Sequence, residues 1–559
     1  MQKRPVTRSQ SKRKRVLQEE NIEENFLEGL TVTNDGKSIV IDRNLLERLQ
    51  APVEKPIIVN PFEDFPEFLE VLKNGKPLTL EFLEECSRFR KSDPESVKMS
   101  ELIGTLPLDW LALKRSAMQE DNWEYSIKVP GNPSITNQQQ TGLCWCYSAM
   151  NLMRYQLMKR IPIDHKFEFS TNYVFFYDKI ERSNLFLENM WNLRSRNLQD
   201  REVRVFTNPG SHFLEDGGYH TYFTNIVKKY GMIPANVYSK NLNANMSSSM
   251  NETLVNVLNH MALDIFRNKD NWSRDYFEDK KDGYMRIIYD LVVRFLGEPP
   301  KPNDNFNWHY RDDHGDSHTI PNLTPLKFYR TIVPHDHDTK VTIIHDPRHP
   351  ETYFQKSFVE YSLNVQGGTP LTMINLPQDI FKKVIYESLR NEEACWMGCD
   401  IGKCLDSENN TSDTKRFDYK SILGTAVEFD KCDMLDMLTS APTHAMVFNG
   451  VDTVNDKDGN VVEYIKWRID NSWGRYSELE SEPDYGFWKM TDDYFNKYVY
   501  MAVVDLKYFE EQTMLDIIEN SKKGNVFTYA STDAFGCVAM RNCEHCSKNK
   551  PKRLKNKMI

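Results

Sequence analysis

The chain has 559 residues, 40% hydrophobic, 27% charged and 12% aromatic, with 71 Lys and Arg against 81 Asp and Glu for a net charge of −10. That length admits several units of about 150 residues and a substantial core, and no apolar run approaches the ~18 residues a membrane helix needs, so a membrane partner is not expected. Residues 1–15 hold seven bases and no acid, residues 540–559 hold seven bases against Glu544, and removing these tails of +7 and +6 leaves −23 on residues 16–539, which argues against a broad nucleic-acid surface on the body while leaving the tails free to touch polyanions.

The N-terminal run MQKRPVTRSQSKRKRV is basic but lacks the apolar stretch of a secretory leader. Ten scattered cysteines form no disulfide framework, so a reducing, cytoplasmic setting with free thiols is expected. Residues 1–40 read as a flexible arm without sustained apolar period, and KRKR at 12–15 is a candidate nuclear-import or phosphate-binding patch. From 41 to 125, FPEFLEVLKNG and LTLEFLEECSRFRK space apolar residues three and four apart, which predicts short amphipathic helices. A longer helix is expected from Cys144 through Ala149, Leu152, Met153 and Leu157. Late in the chain THAMVFNGV, EYIKWRID, GFWKM and YMAVVDL read as strands, and Ile465, Trp467 and Ile469 alternating with Lys466, Arg468 and Asp470 predict a half-buried one.

Chemistry concentrates in a few places. In NQQQTGLCWCYSA a Gly142 turn leads into a helix that starts at the Cys144 thiol, and a helix N-terminus favours thiolate over thiol. Cys146, two positions on, faces another side of the helix and is expected to pack in the core. Gln138 can join the Cys144 N–H as donors to the oxyanion of a tetrahedral intermediate. His444 opens one predicted strand and Asn471 follows another; the Asn471 carbonyl is expected to accept the Nδ1 proton, leaving Nε2 to face the thiol, with Trp473 covering that bond from water. Each of these residues alone is ordinary. Their joint order is the catalytic argument.

Gln, then Cys-Trp, then His, then Asn-Ser-Trp-Gly resembles the papain order, and further stretches resemble its bleomycin hydrolase branch. They are NQQQTGLCWCYSAMNLMR, FEFSTNYVFFYDKIER, EDGGYHTYFTNIVKKYGMIP, TPLKFYR, CWMGCDIGK, THAMVFNGV and KWRIDNSWG, spanning roughly residues 100 to 540. Cys144 and His444 stand 300 residues apart, where papain needs about 130–150, so a large insertion separates the two halves. The resemblance implies an α+β, papain-like fold: a helical half carrying Cys144, a β-barrel-like half carrying His444 and Asn471, a large, mainly helical insertion, and terminal extensions. The expected segments are the arm 1–40, a helical segment 41–125, the nucleophile half 126–240, the insertion 241–420, the β half 421–510, a C-terminal arm 511–539 directed at the active site, and a basic tail 540–559.

It further implies a cysteine aminopeptidase that cleaves peptide or amide bonds through a thioester, without cofactor, as a homohexamer whose C-terminal carboxylate meets the substrate's free amine. The chain departs from that pattern in two ways. Twenty residues, Met540–Ile559, continue past TDAFGCVA, so the clamp requires trimming near Val538 or Ala539, and Tyr219 stands where the family usually has Gln. An untrimmed tail would suit an endopeptidase, and the basic tails suit an added nucleic-acid role. His309, His314 and His318, His335 and His337, and Cys543, His545 and Cys546 lack a second half at zinc spacing, so no metal is expected.

Overall fold

The computed structural model describes residues 74–118, 122–131, 133–208, 213–334, 336–425, 427–474, 486–524 and 526–536, together with residues 70–71 and two short N-terminal strands. KRKR, Val538, Ala539, the tail 540–559 with its Cys543, His545 and Cys546, and His335 lie outside the described residues. The chain divides into two compact units, residues 1–97 and 98–559.

In the first unit β1 (Leu30–Val32) and β2 (Ile39–Ile41) form an antiparallel ladder with Leu30 opposite Ile41. The region read as an unstructured arm therefore contains a strand. Runs rich in β-branched residues on either side of Asn34-Asp35-Gly36, a turn-favouring composition, account for it. Helix α1 (Leu80–Lys91) follows the expected amphipathic segment and is capped by Thr79, whose hydroxyl accepts the Phe82 N–H at 3.2 Å.

In the second unit a short helix at Leu108–Ala112 and a 3-10 turn at Arg115–Met118 precede β3 (Ile127–Lys128) and then α2 (Cys144–Arg160), which begins at Cys144 as expected. Nearly every residue of α2 from Cys144 to Leu157 is buried, Arg154 included, so it is a central helix, apolar on several faces and ended by Lys159 and Arg160 where the helix dipole favours cations. Around it lie α3 (Thr171–Leu193), α4 (His220–Tyr230), α5 (Ser248–Arg267) and α6 (Arg274–Leu296), which share one hydrophobic core.

Residues 241–420, expected to be mainly helical, are so through α5 and α6 and then change character. The strands β4 (Phe306–Arg311) and β5 (Ser317–Leu323) pair as a separate hairpin. Beyond it β6 (Lys340–Ile344), β7 (Lys356–Val359), β8 (Thr372–Asn375), helix α7 (Gln378–Arg390), β9 (Cys395–Cys399), β10 (Leu405–Asp406) and β11 (Thr411–Ser412) follow. These strands join β12 (His444–Asn455), β13 (Val461–Asp470), β14 (Trp488–Thr491), β15 (Val499–Asp505) and β16 (Val526–Tyr529) in one sheet. Its order is β10-β11-β14-β13-β12-β9-β15-β6-β8-β7-β16, with β3 paired to β12. Short apolar runs such as KVTII and CWMGC are buried on both faces, so they give no alternation by which to recognise a strand.

The half-buried reading of β13 needs correction. Ile465 is exposed, whereas Lys466 through Asp470 are all buried. The polar face is covered because its charges find partners. Lys466 Nζ lies 3.4 Å from Asp452, the Arg468 guanidinium stacks 3.6 Å from the Phe487 ring centroid, and Asp470 accepts from Tyr155 of α2 at 3.3 Å.

Candidate active site

Cys144 is the first residue of α2, His444 the first of β12, and Asn471 directly follows β13. The pairing of β12 with β13, registered at Val447 opposite Asp470, brings the histidine and asparagine together. His444 Nε2 lies 3.0 Å from Asn471 Oδ1. The same oxygen accepts the Ser472 N–H at 2.8 Å. Because a backbone N–H can only donate, that atom is an acceptor, and Nε2 must carry the ring proton. This reverses the expectation from sequence: Nε2 serves Asn471, and Nδ1 is left as the basic nitrogen. Reach explains it, since Asn471 lies beyond the end of the ladder and only the ring nitrogen farther from Cβ extends to it.

Cys144 sits against the start of β12, where the Ala445 N–H hydrogen-bonds its sulfur. Burial pushes the thiol up to about 11, and the backbone N–H groups of Ala445, Trp145 and Cys144 itself only partly pull it back. The backbone N–H groups at the start of α2 thus favour the thiolate, in the direction expected from the sequence, and burial outweighs them.

Gln138 is buried and tied to the asparagine segment. Its backbone N–H donates to Ser472 O at 2.8 Å, its Oε1 accepts from Ser472 Oγ at 2.6 Å, and its Nε2 donates to Thr141 O at 2.6 Å. Ser472 thus links Gln138 to Asn471, a connection that the NSWG motif contains but does not announce. Trp473 packs its ring 4.8 Å from that of His444 and is itself held edge-on by Trp488 at 5.4 Å. Gly474 has φ +75°, and a Cβ there would come within 2.5 Å of the Asn137 side chain. Glycine is required on both counts. Gln138, His444, Asn471 and Trp473 are thus joined to one another through Ser472 and the ring contact, and Cys144 lies against the backbone of Ala445, the residue after His444. Cys146 is fully buried in the helical core.

Sequence reasoning passed over Asp216 of the EDGG segment. It is buried, its carboxylate accepts the Gly142 N–H at 3.2 Å, and its carbonyl accepts from Trp145 Nε1 at 2.7 Å. Tyr219, the departure noted in the same segment, directs its hydroxyl at Phe535 O, 3.5 Å away in the C-terminal stretch.

Two of the histidines considered as metal ligands have other partners. His309 Nδ1 lies 2.9 Å from Thr319 Oγ1, and His318 Nε2 lies 2.8 Å from Asp312. Among the described residues Asp336, Glu393 and Asp505 converge. Lys340 and Lys507 pair with these carboxylates, so the group is an ion-pair network. No helix among the described residues is long and apolar enough to cross a membrane.

Residues 77–526 match the Peptidase C1-like family. Bleomycin hydrolase of Homo sapiens is 34% identical, covering 76% of this chain and 91% of the human protein. Aminopeptidase C of Lactobacillus delbrueckii subsp. lactis is also 34% identical, covering 74% of this chain and 88% of that one. Among solved structures, the crystal structure of pepw from Lactobacillus rhamnosis HN001 superposes with a TM-score of 0.75 at 28% identity, covering 82% of this chain and 98% of that protein. With the matched region containing Cys144, His444 and Asn471, the chain belongs to the Peptidase C1-like family.

Proposed function

We propose that the chain acts as a cysteine aminopeptidase, with Cys144 as nucleophile, His444 as base, Asn471 as its orienting partner and Gln138 as an oxyanion donor. A cysteine peptidase of the papain family is what the family match and the relatives named bleomycin hydrolase and aminopeptidase support. The observation that carries the residue assignment is the His444 Nε2 to Asn471 Oδ1 hydrogen bond beside a thiol at a helix N-terminus. His444 Nδ1 takes the thiol proton, the sulfur attacks the carbonyl carbon, and the oxyanion is held by the Cys144 N–H and Gln138 Nε2. Collapse returns the proton to the leaving amine and leaves a thioester. Water then attacks the thioester with His444 again as base, releasing the acid.

The restriction to free amino termini rests on the C-terminal stretch. Ala534 and Phe535 are fully buried, and Phe535 lies against Tyr219, one residue from Gly218, which packs on Trp145 next to the nucleophile. On this reading the residues after Gly536 present a carboxylate to the substrate amine once the tail is trimmed near Val538 or Ala539. Resemblance to bleomycin hydrolase supports a homohexamer and a cytoplasmic setting, and KRKR at 12–15 supports access to the nucleus. The basic tails support a weak, salt-sensitive contact with nucleic acid.

The test is hydrolysis of matched fluorogenic peptides with free and N-acetylated termini, with Cys144→Ala as control and the C-terminus determined by mass spectrometry. Cleavage restricted to the free amine by trimmed enzyme is expected. Equal cleavage of the blocked peptide with Ile559 retained would mean an endopeptidase instead.

A further inference from the structure

We propose that Asp216 is a positioning residue for the oxyanion-binding turn, fixing the Gln138–Cys144 segment to three other elements of the fold. This rests on the reading of Cys144 and Gln138 given above.

Its carboxylate receives four donors. Gly142 N–H reaches Oδ2 at 3.2 Å, Lys179 Nζ of α3 reaches Oδ1 at 2.9 Å, Asn251 Nδ2 of α5 reaches Oδ1 at 2.7 Å, and Ser247 Oγ, just before α5, reaches Oδ2. An ionised carboxylate offers about four lone-pair sites, so the group is saturated. Burial works against its charge, but Lys179 and the hydroxyl and amide donors outweigh burial and hold it below the ordinary carboxylate value. Asp216 also lies at the N-terminus of the 20-residue helix α5, where the dipole favours an anion.

These contacts converge on the turn that sets the oxyanion donors. Gly142 lies two residues before Cys144 and four after Gln138. A Cβ on Gly142 would sit 2.8 Å from the Asp216 Cβ, so the two backbones are in direct contact. The same turn is tied to the stretch before α5 by the Gln140 N–H donating to Asn245 O at 3.0 Å. On the other side Arg182, paired with Asp178 at 2.8 Å, donates to Gly217 O at 2.8 Å and Glu215 O at 3.1 Å, so the EDGG loop itself cannot drift. Asp216 touches no reacting atom. It acts by keeping the Cys144 N–H and the Gln138 amide aimed at one point, and small misplacements of such donors cost heavily in rate.

Two reactions of Cys144 separate this role from general support of the fold. Acyl transfer passes through an oxyanion, whereas alkylation of the thiol by iodoacetamide does not. In Asp216→Asn, kcat per titrated thiol for peptide hydrolysis is expected to fall about 10–100-fold with KM within about twofold. The alkylation rate at its alkaline plateau should stay within about threefold of wild type. Parallel loss of both reactions, or loss of neither, overturns the proposal. Should Asp216→Asn fail to fold, Ser247→Ala removes one donor while keeping the Lys179 pair. There a loss of about 3–10-fold in kcat with unchanged alkylation is expected, and unchanged kcat overturns the proposal. A wild-type enzyme that is alkylated yet cleaves no free-amine peptide would sink the aminopeptidase reading alone. The same comparison would then be made with an activated ester, whose acyl transfer needs the same donors.

Discussion

Asn471 takes two hydrogen bonds on a single oxygen, from the His444 ring and from the amide of Ser472, and it is fully buried while doing so. Removing it leaves the imidazole free to rotate and the Ser472 N–H without that acceptor. A hydrogen bond to a group that becomes charged contributes about 1.5–3 kcal/mol, so Asn471→Ala should lower kcat/KM by about 10–100-fold on a free-amine peptide. A value within twofold of wild type would remove Asn471 from the mechanism. The thiol gives a second prediction. Burial raises Cys144 from an ordinary 9.0 to about 11, so without its base the sulfur should ionise later than a free cysteine. If His444 takes the thiol proton, the midpoint for alkylation by iodoacetamide in wild type should lie well below that of His444→Ala, in which it should move upward toward about 11. An unchanged midpoint would show that the helix N-terminus suffices by itself. Cys144, His444, Asn471 and Gln138 could be nominated as site residues from the sequence because their order along the chain is a motif. Which imidazole nitrogen meets the asparagine was not, since it depends on reach across a strand end, and neither Ser472 nor Asp216 stands out until its neighbours in space are known.

Helix α2 and strand β13 carry the two halves of the site and are clasped by polar groups. Asn151 donates to Thr136 Oγ1 at 3.0 Å and to Asp470 Oδ1 at 3.4 Å, and the Tyr155 hydroxyl donates to Asp470 Oδ2 at 3.3 Å. Burial raises the Asp470 carboxyl to about 6 from an ordinary 3.8, with Arg154 and Arg468 opposing the rise. A carboxyl whose folded value lies above its unfolded one favours folding most when protonated. Its contribution is therefore full below about pH 4 and is lost as pH rises through about 6. Asp470→Asn cannot ionise, so its stability relative to wild type should improve between pH 4 and pH 7 by about 3 kcal/mol, on the order of 1.4 kcal/mol for each pKa unit. Thermal unfolding of both proteins at the two pH values checks this, and a constant difference in Tm would contradict it. At this scale the start of α2 and the strand character of β12, β13, β14 and β15 could be read from apolar spacing. The burial of the charged face of β13 could not, because alternation of Lys466, Arg468 and Asp470 with apolar residues looks like a solvated face until α2 and Phe487 cover it.

Across the whole molecule the sheet order joins segments far apart in sequence. β9 from the expected insertion lies between β12 and β15, with Cys399 opposite His444, so the strand that carries His444 depends on a segment that no local pattern assigns to it. The last described stretch shows the same long-range logic. β16 runs parallel to β7, and beyond it Asp533 accepts two hydrogen bonds from Arg348, each 3.0 Å, while Arg348 also pairs with the buried Asp346 and the Tyr529 hydroxyl donates to that same aspartate at 2.9 Å. Asp533 Oδ1 further accepts the Phe535 N–H at 2.9 Å, which sets the turn that seats Phe535 against Tyr219. Charge-assisted paired bonds of this kind hold a segment in one register. In Asp533→Ala, Arg348 keeps Asp346, so the core charge stays compensated and only the strap loses its latch. With the strap loosened, the carboxylate proposed to meet the substrate amine is no longer delivered to one place. Cleavage of the N-acetylated peptide should therefore rise relative to the free-amine peptide by about 10–100-fold, as expected for loss of about 1.5–3 kcal/mol of positioning. Limited proteolysis should at the same time begin to cut after Tyr529. Increased proteolysis with an unchanged ratio of the two peptides would show that the strap is held by Asp533 yet has no part in selecting the free amine.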